Sequence, residues 1–144
     1  MGKTSLLGLC LLSTLSVPAY ALDDQDAGEY VLLNQQEQPT PMQMRYILQA
    51  NGQWIMDGKQ GNGDWQSVCR GDGQCRLQPA SASEVAQWKT HLPSQWQAHS
   101  FSCIRNIAFA FCRVSHKDHA NRRAYWWFSL LNNQIHALPL NRLP

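Results

Sequence analysis

The sequence predicts an α+β fold, mainly an antiparallel β meander with one short helix and two disulfides, in a single domain over residues 22–144. Three observations predict it. Short apolar segments of period two are separated by Gly, Asn and Pro turn signals. One stretch has helical spacing, and it opens on a capping signature. An even number of cysteines, Cys69, Cys75, Cys103 and Cys112, follows a leader that directs the chain out of the reducing cytosol.

Residues 1–21 read as that leader, a signal peptide. Lys3 is the one charge before a run from Leu6 to Leu15 that is apolar apart from Ser and Thr, and Ala19-Tyr20-Ala21 places small residues at the minus-three and minus-one positions of a cleavage site. Cleavage after Ala21 removes Cys10. The run falls short of the roughly 20 apolar residues that spanning requires, as does every later stretch, so no membrane span is expected. The expected location is periplasmic or secreted.

Leu22 to Gly28 is acidic and aperiodic and is expected to be a mobile tail. Glu29–Leu33 reads as a strand, and Gln35–Pro41, with its prolines and glutamines, as a loop. Met44–Ala50 and Gln53–Asp57 flank Asn51-Gly52, a dipeptide that tolerates the positive φ values of a type I′ turn. A two-residue loop there sets Leu48 opposite Ile55 and Gln49 opposite Trp54. Gly58–Gly63 is the next turn. Asp64–Cys69 and Cys75–Gln78 are expected to pair as a hairpin about Gly71-Asp72-Gly73, with Arg70 facing Gln74. Cys69 then lies across from Cys75 at the roughly 4.5–5.5 Å that a disulfide tolerates. On this reading Arg70-Gly71-Asp72 is a stapled turn, not an adhesive loop.

Pro79–Pro93 interrupts the β pattern. Ser81-x-x-Glu84 is a capping box, Val85, Trp88 and Leu92 line one face of a short helix, and Pro93 stops it. In the next segment Ile107, Phe109 and Phe111 alternate with Ala108, Ala110 and Cys112, so the bulky residues face a core and the small ones lie under the helix. A charged loop, Ser115–Arg123, precedes the strand Ala124–Leu131, a tight turn at Asn132-Asn133, and a last strand, Gln134–Leu138, before Pro139. If 103–112 were one strand, Cys103 and Cys112 would be roughly 30 Å apart. Either the chain bends near Arg105-Asn106 or the pairs cross between hairpins; the pairing of Cys103 with Cys112 is assigned by remainder and requires the bend.

Charge is unevenly distributed. Between Leu22 and Asp72 eight acids face three bases, and from Gly73 onward two acids face eight bases. An acidic partner for the C-terminal half fits this pattern, as does mutual neutralisation of the two halves. The chain has no basic run or nucleic-acid motif, so no nucleic-acid partner is expected. The serines lack a G-x-S-x-G context and the carboxylates lie mostly in turns, so no catalytic set and no enzyme is expected. Neither metal nor cofactor is expected. The C-x5-C and C-x8-C spacings are looser than a zinc knuckle, and His116-x-x-His119 with Asp118 is an incomplete ligand set.

These readings lead to an exported, non-enzymatic binding protein, an inhibitor or immunity-type protein acting on a protein partner in the envelope or outside the cell. The expected contact residues are Arg70 and Asp72 at the stapled tip, with His116, Lys117, His119, Arg122 and Arg123 in the basic loop. In size, cysteine content and β-rich pattern the chain resembles exported lysozyme inhibitors, although the S-G-x-x-Y loop associated with some of them is absent. A possible glycan partner defines the alternative, a cell-envelope carbohydrate-binding module stacking sugars on Trp54 or Trp126. A small hydrolase is the third reading.

Overall fold

The computed structural model describes residues 21–116 and 123–144. Residues 1–20, most of the expected signal peptide, and residues 117–122, most of the expected charged loop, lie outside the described residues.

The strands are β1 (Gly28–Leu33), β2 (Pro39–Leu48), β3 (Trp54–Gln60), β4 (Gln66–Cys69), β5 (Gln78–Pro79), β6 (Ser100–Arg105), β7 (Phe109–Ser115), β8 (Arg123–Ser129) and β9 (His136–Arg142). They form one antiparallel sheet in the order β4-β3-β2-β1-β9-β8-β7-β6-β5. Two meanders, β1–β4 and β5–β9, thus join where β9 lies beside β1. An isolated bridge between Trp54 and Leu77 ties β3 to the residue before β5, which curls the sheet until its halves meet.

Strand alternation gives the curled sheet two apolar faces. The inner one holds Tyr30, Met44, Tyr46, Met56, Phe109, Phe111 and Tyr125. Tyr46 stacks on Phe111 at 4.0 Å between ring centroids, and Phe111 lies parallel to Tyr125 at 5.6 Å. The outer one, on β6–β8, holds Cys103, Ala110, Cys112, Trp126 and Phe128 under Trp88 and Leu92. The expected large-small alternation of this segment holds from Phe109 to Cys112. Ile107 does not share it, because it sits exposed in the β6–β7 turn. That turn is the bend the cysteines require. Asn106 Oδ1 accepts from the Ala108 and Phe109 N–H groups and folds the chain back, so Cys103 faces Cys112 and the two are disulfide-bonded with Cα atoms 4.1 Å apart.

Helix α1 (Ala82–Lys89) begins as its capping box predicts: Glu84 N–H donates to Ser81 Oγ and Ser81 N–H to Glu84 Oε1. Burial works to raise the Glu84 pKa, but the Ser81 N–H and Arg105, 2.9 Å away, outweigh it and hold the carboxyl below its usual range. A second helix, α2 (Ser94–Gln97), follows Pro93 where one helix alone was expected. It lays Trp96 edge-on against Trp126 at 5.9 Å.

Several local expectations shift. The β2–β3 loop has three residues, not two: Gln49 pairs with Gln53, Leu48 with Trp54 and Ile47 with Ile55. Asn51 Oδ1 accepts from Gln53 N–H and Gly52 takes φ +83°, so Asn-Gly serves a longer turn with one left-handed residue. The expected hairpin between Asp64–Cys69 and Cys75–Gln78 does not form. β4 pairs with β3 and β5 with β6, at opposite edges of the sheet, and Cys75 closes a 3-10 turn, Gly73–Cys75. Strands also run through prolines read as breakers, Pro39 and Pro41 in β2 and Pro139 in β9. Pro39 and Pro41 lie beyond the reach of β3, whose pairing with β2 starts at Met42.

The acidic N-terminal segment is not a mobile tail. Asp24–Asp26 forms a capped 3-10 turn, and Asp26 is fully buried. Its carboxylate accepts from Arg113 at 2.5 Å, the Tyr125 hydroxyl at 2.8 Å and Arg123 at 3.3 Å, while its carbonyl accepts from the Tyr30 hydroxyl at 2.6 Å. Arg142 donates to the Gln25 and Ala27 carbonyls. Burial, then Tyr125, pushes the Tyr30 pKa above its ordinary range. Burial, then Asp26, does the same for Tyr125, so both hydroxyls stay protonated donors. Charge asymmetry along the chain becomes attraction here, with an acidic strap tied down by basic residues of the C-terminal half.

Candidate functional site

One end of the curl gathers segments distant in sequence: the strap at Leu22, the β2–β3 turn, the residues around Leu77, helix α1 and the start of β6. Between them opens a cleft of about 770 Å³, walled by Leu22, Leu48, Trp54, Val85, Phe101 and Ile104. Its wall exists because β2 and β3 end there and α1 crosses the outer face without covering the gap. Lys89 is the one ionisable side chain among the described lining residues outside the Cys103 disulfide. Its ammonium donates to the His99 carbonyl at 2.9 Å and lies 5.1 Å from the Phe101 ring. A cleft of this size and apolarity takes apolar groups and orients them with few polar contacts.

The Arg70-Gly71-Asp72 triplet borders the same end. Gly52 lines the cleft, and the adjacent Gln53 donates its side-chain amide to the Gly71 carbonyl at 2.6 Å. Gly71 takes φ +86°, and a Cβ there would meet the Gln53 side chain at 2.8 Å, so the middle residue of the triplet is demanded by the turn. Asp72 is exposed. Arg70, 60 % exposed, lies 3.9 Å from Asp57 Oδ1. Asp57 itself is buried, and both bonds from Arg45 go to its Oδ2. Arg45 and Lys59 in turn sit over the Trp65 ring at 4.5 and 4.9 Å.

The structure gives the expected contact residues separate neighbours. Arg123 is drawn inward, 3.3 Å from Asp26 and 3.8 Å from Asp23. His116 lies against His99, with ring centroids 4.7 Å apart. Lys117, His119 and Arg122 lie outside the described residues. The tryptophans named for sugar stacking are both buried, Trp54 in the wall of the cleft and Trp126 under α2. Trp127 turns inward with Tyr125 and Phe109, as alternation along β8 requires.

Cys69 and Cys75 are unbonded thiols in this structure. They are neighbours nonetheless, and Cys75 Sγ lies 3.0 Å from the Val68 carbonyl. Burial, then the adjacent Cys69, pushes the Cys75 thiol up to about 12. A thiol so raised is a poor nucleophile at neutral pH.

No helix among the described residues is long and apolar enough to cross a membrane. No protein-family model, curated protein or solved structure matches the chain.

Proposed function

We propose that this is an exported, non-enzymatic binding protein of the inhibitor or immunity type, which seats a protein partner against the open end of its curled sheet. The observation that carries the reading is the apolar cleft at that end, whose one ionisable lining side chain is already engaged within the fold. An apolar side chain of the partner anchors in the cleft, as buried anchors dominate binding energy at protein interfaces. Arg70 and Asp72 supply rim charges that set register and association rate, and His116, Lys117, His119, Arg122 and Arg123 remain candidates on the sequence grounds already given. Export rests on the signal-peptide reading of residues 1–21. In an oxidising compartment Cys69 and Cys75 close a second disulfide, which staples the rim loop beside the cleft.

The test is capture of a partner from cell-envelope extracts on immobilised residues 22–144, with a Phe101→Glu variant alongside. Far-ultraviolet circular dichroism and an intact Cys103–Cys112 bond confirm that the variant folds. Wild type is expected to retain a defined protein and the variant to lose it; equal retention overturns the cleft as the docking site, and turnover of an envelope substrate overturns the non-enzymatic reading.

A further inference from the structure

We infer that His99 and His116 form a two-imidazole clamp for a borderline divalent metal ion, Cu²⁺ most tightly. The argument starts from register. Strands β6 and β7 pair antiparallel out to Ser100 opposite Ser115, so the next residues outward, His99 and His116, fall opposite one another. Directly opposed residues of an antiparallel pair hold their Cβ atoms about 4.5–5.5 Å apart, close enough for two side chains to share one ligand. The rings do meet, with centroids 4.7 Å apart and planes tilted by 35°.

His99 is held from two sides. The Trp96 ring packs edge-on against it at 5.8 Å, and Lys89 donates to its carbonyl at 2.9 Å. An ion shared by the two rings would take one nitrogen of each at the metal–imidazole distance of about 2.0–2.1 Å. Imidazole suits Cu, Ni and Zn, and for a site of nitrogen donors affinity peaks at Cu²⁺. Two ligands leave coordination positions open for water or for a donor brought by another molecule. Lys89 is a nearby cation that limits how tightly the ion is held. The ladder under the clamp carries the Cys103–Cys112 disulfide, which fixes the register of both strands.

The experiment is titration of residues 22–144 with CuCl₂, followed by calorimetry and by electron paramagnetic resonance. His99→Ala, His116→Ala, His119→Ala and His136→Ala variants are titrated alongside, each checked for fold by circular dichroism. The clamp predicts nitrogen superhyperfine structure from two imidazoles in wild type and from one in His99→Ala or His116→Ala. Each of these variants is expected to bind Cu²⁺ more weakly by at least the roughly tenfold that loss of even an outer-shell partner costs. His119→Ala and His136→Ala are expected to match wild type. Unchanged binding in His99→Ala overturns the clamp, and loss in His116→Ala and His119→Ala with His99→Ala unchanged assigns the ion to the His116-x-x-His119 loop instead.

Discussion

Two buried aspartates are treated in opposite ways. Asp26, in the N-terminal strap, is closed off by Arg113, Arg123 and Tyr125 on its carboxylate and by Tyr30 on its carbonyl. Asp57, under the Arg70 loop, has Arg45 on one oxygen, while the other is buried without a hydrogen-bond partner and has Arg70 at 3.9 Å. A buried carboxylate with every acceptor matched locks its segment, because loosening the segment strands a charge in a low dielectric. A half-matched one leaves a nearby cation only loosely committed. The strap therefore belongs to the fold, and the Arg70 loop has a charge to offer a partner.

Removing Arg113 tests the first half of that contrast and carries the largest expected effect. Its side chain and that of Asp26 are almost wholly buried, so Arg113→Ala is expected to cost about 3–5 kcal/mol in urea unfolding. A cost below about 1 kcal/mol would mean that the strap is an ornament on a fold that stands without it.

The hydroxyls of the same region give a pH signature. Residues 22–144 contain Tyr30, Tyr46 and Tyr125 as their only tyrosines, all buried and all raised from the ordinary value of 10.0, burial being the largest cause. A raised folded-state pKa means stability that is complete below the unfolded value and declines as pH climbs past it. Tyrosinate absorbance near 295 nm is therefore expected to stay flat past the ordinary value of 10.0 and then to rise together with loss of circular dichroism. A gradual rise from pH 10 in a folded protein contradicts the buried network.

The second half of the contrast predicts smaller effects. Arg45→Ala strips Asp57 of its one close partner but, with Arg45 about a third exposed, water shares the cost, which is expected at about 1–3 kcal/mol. Arg70→Ala is expected to change stability by less than about 0.5 kcal/mol. Were Arg70→Ala to cost as much as Arg113→Ala, the two regions would not differ in kind.

What the sequence makes legible here is local. The capping box at Ser81 and Glu84, the alternation from Phe109 to Cys112 and the turn at Asn132-Asn133 depend on neighbours within a few residues, and each forms. The Asn51-Gly52 turn was legible in place but not in length, because one left-handed glycine serves a three-residue loop as well as a two-residue one. Cys69 and Cys75 lie close together, but the curl of the sheet brings its two edges together there and no hairpin does, so the pairing logic was local and the actual cause is not. The site is the least legible part. Leu22 reads as part of a tail, Val85 as one face of a short helix and Trp54 as a stacking candidate, and only closure of the curl brings them around one gap. Asp26 carried no signal beyond its sign, since Arg113 and Arg123 are some ninety residues away along the chain.

The most direct measurement is the dissociation constant of the captured partner for wild type, Phe101→Glu and Arg70→Ala, with association and dissociation rates resolved. Phe101→Glu is expected to raise it by roughly a hundredfold or more, as loss of a pocket anchor does at about 1.4 kcal/mol per decade. Arg70→Ala is expected to slow association and flatten its salt dependence with little change in dissociation. Identical constants for all three proteins contradict a partner seated at the open end of the curled sheet.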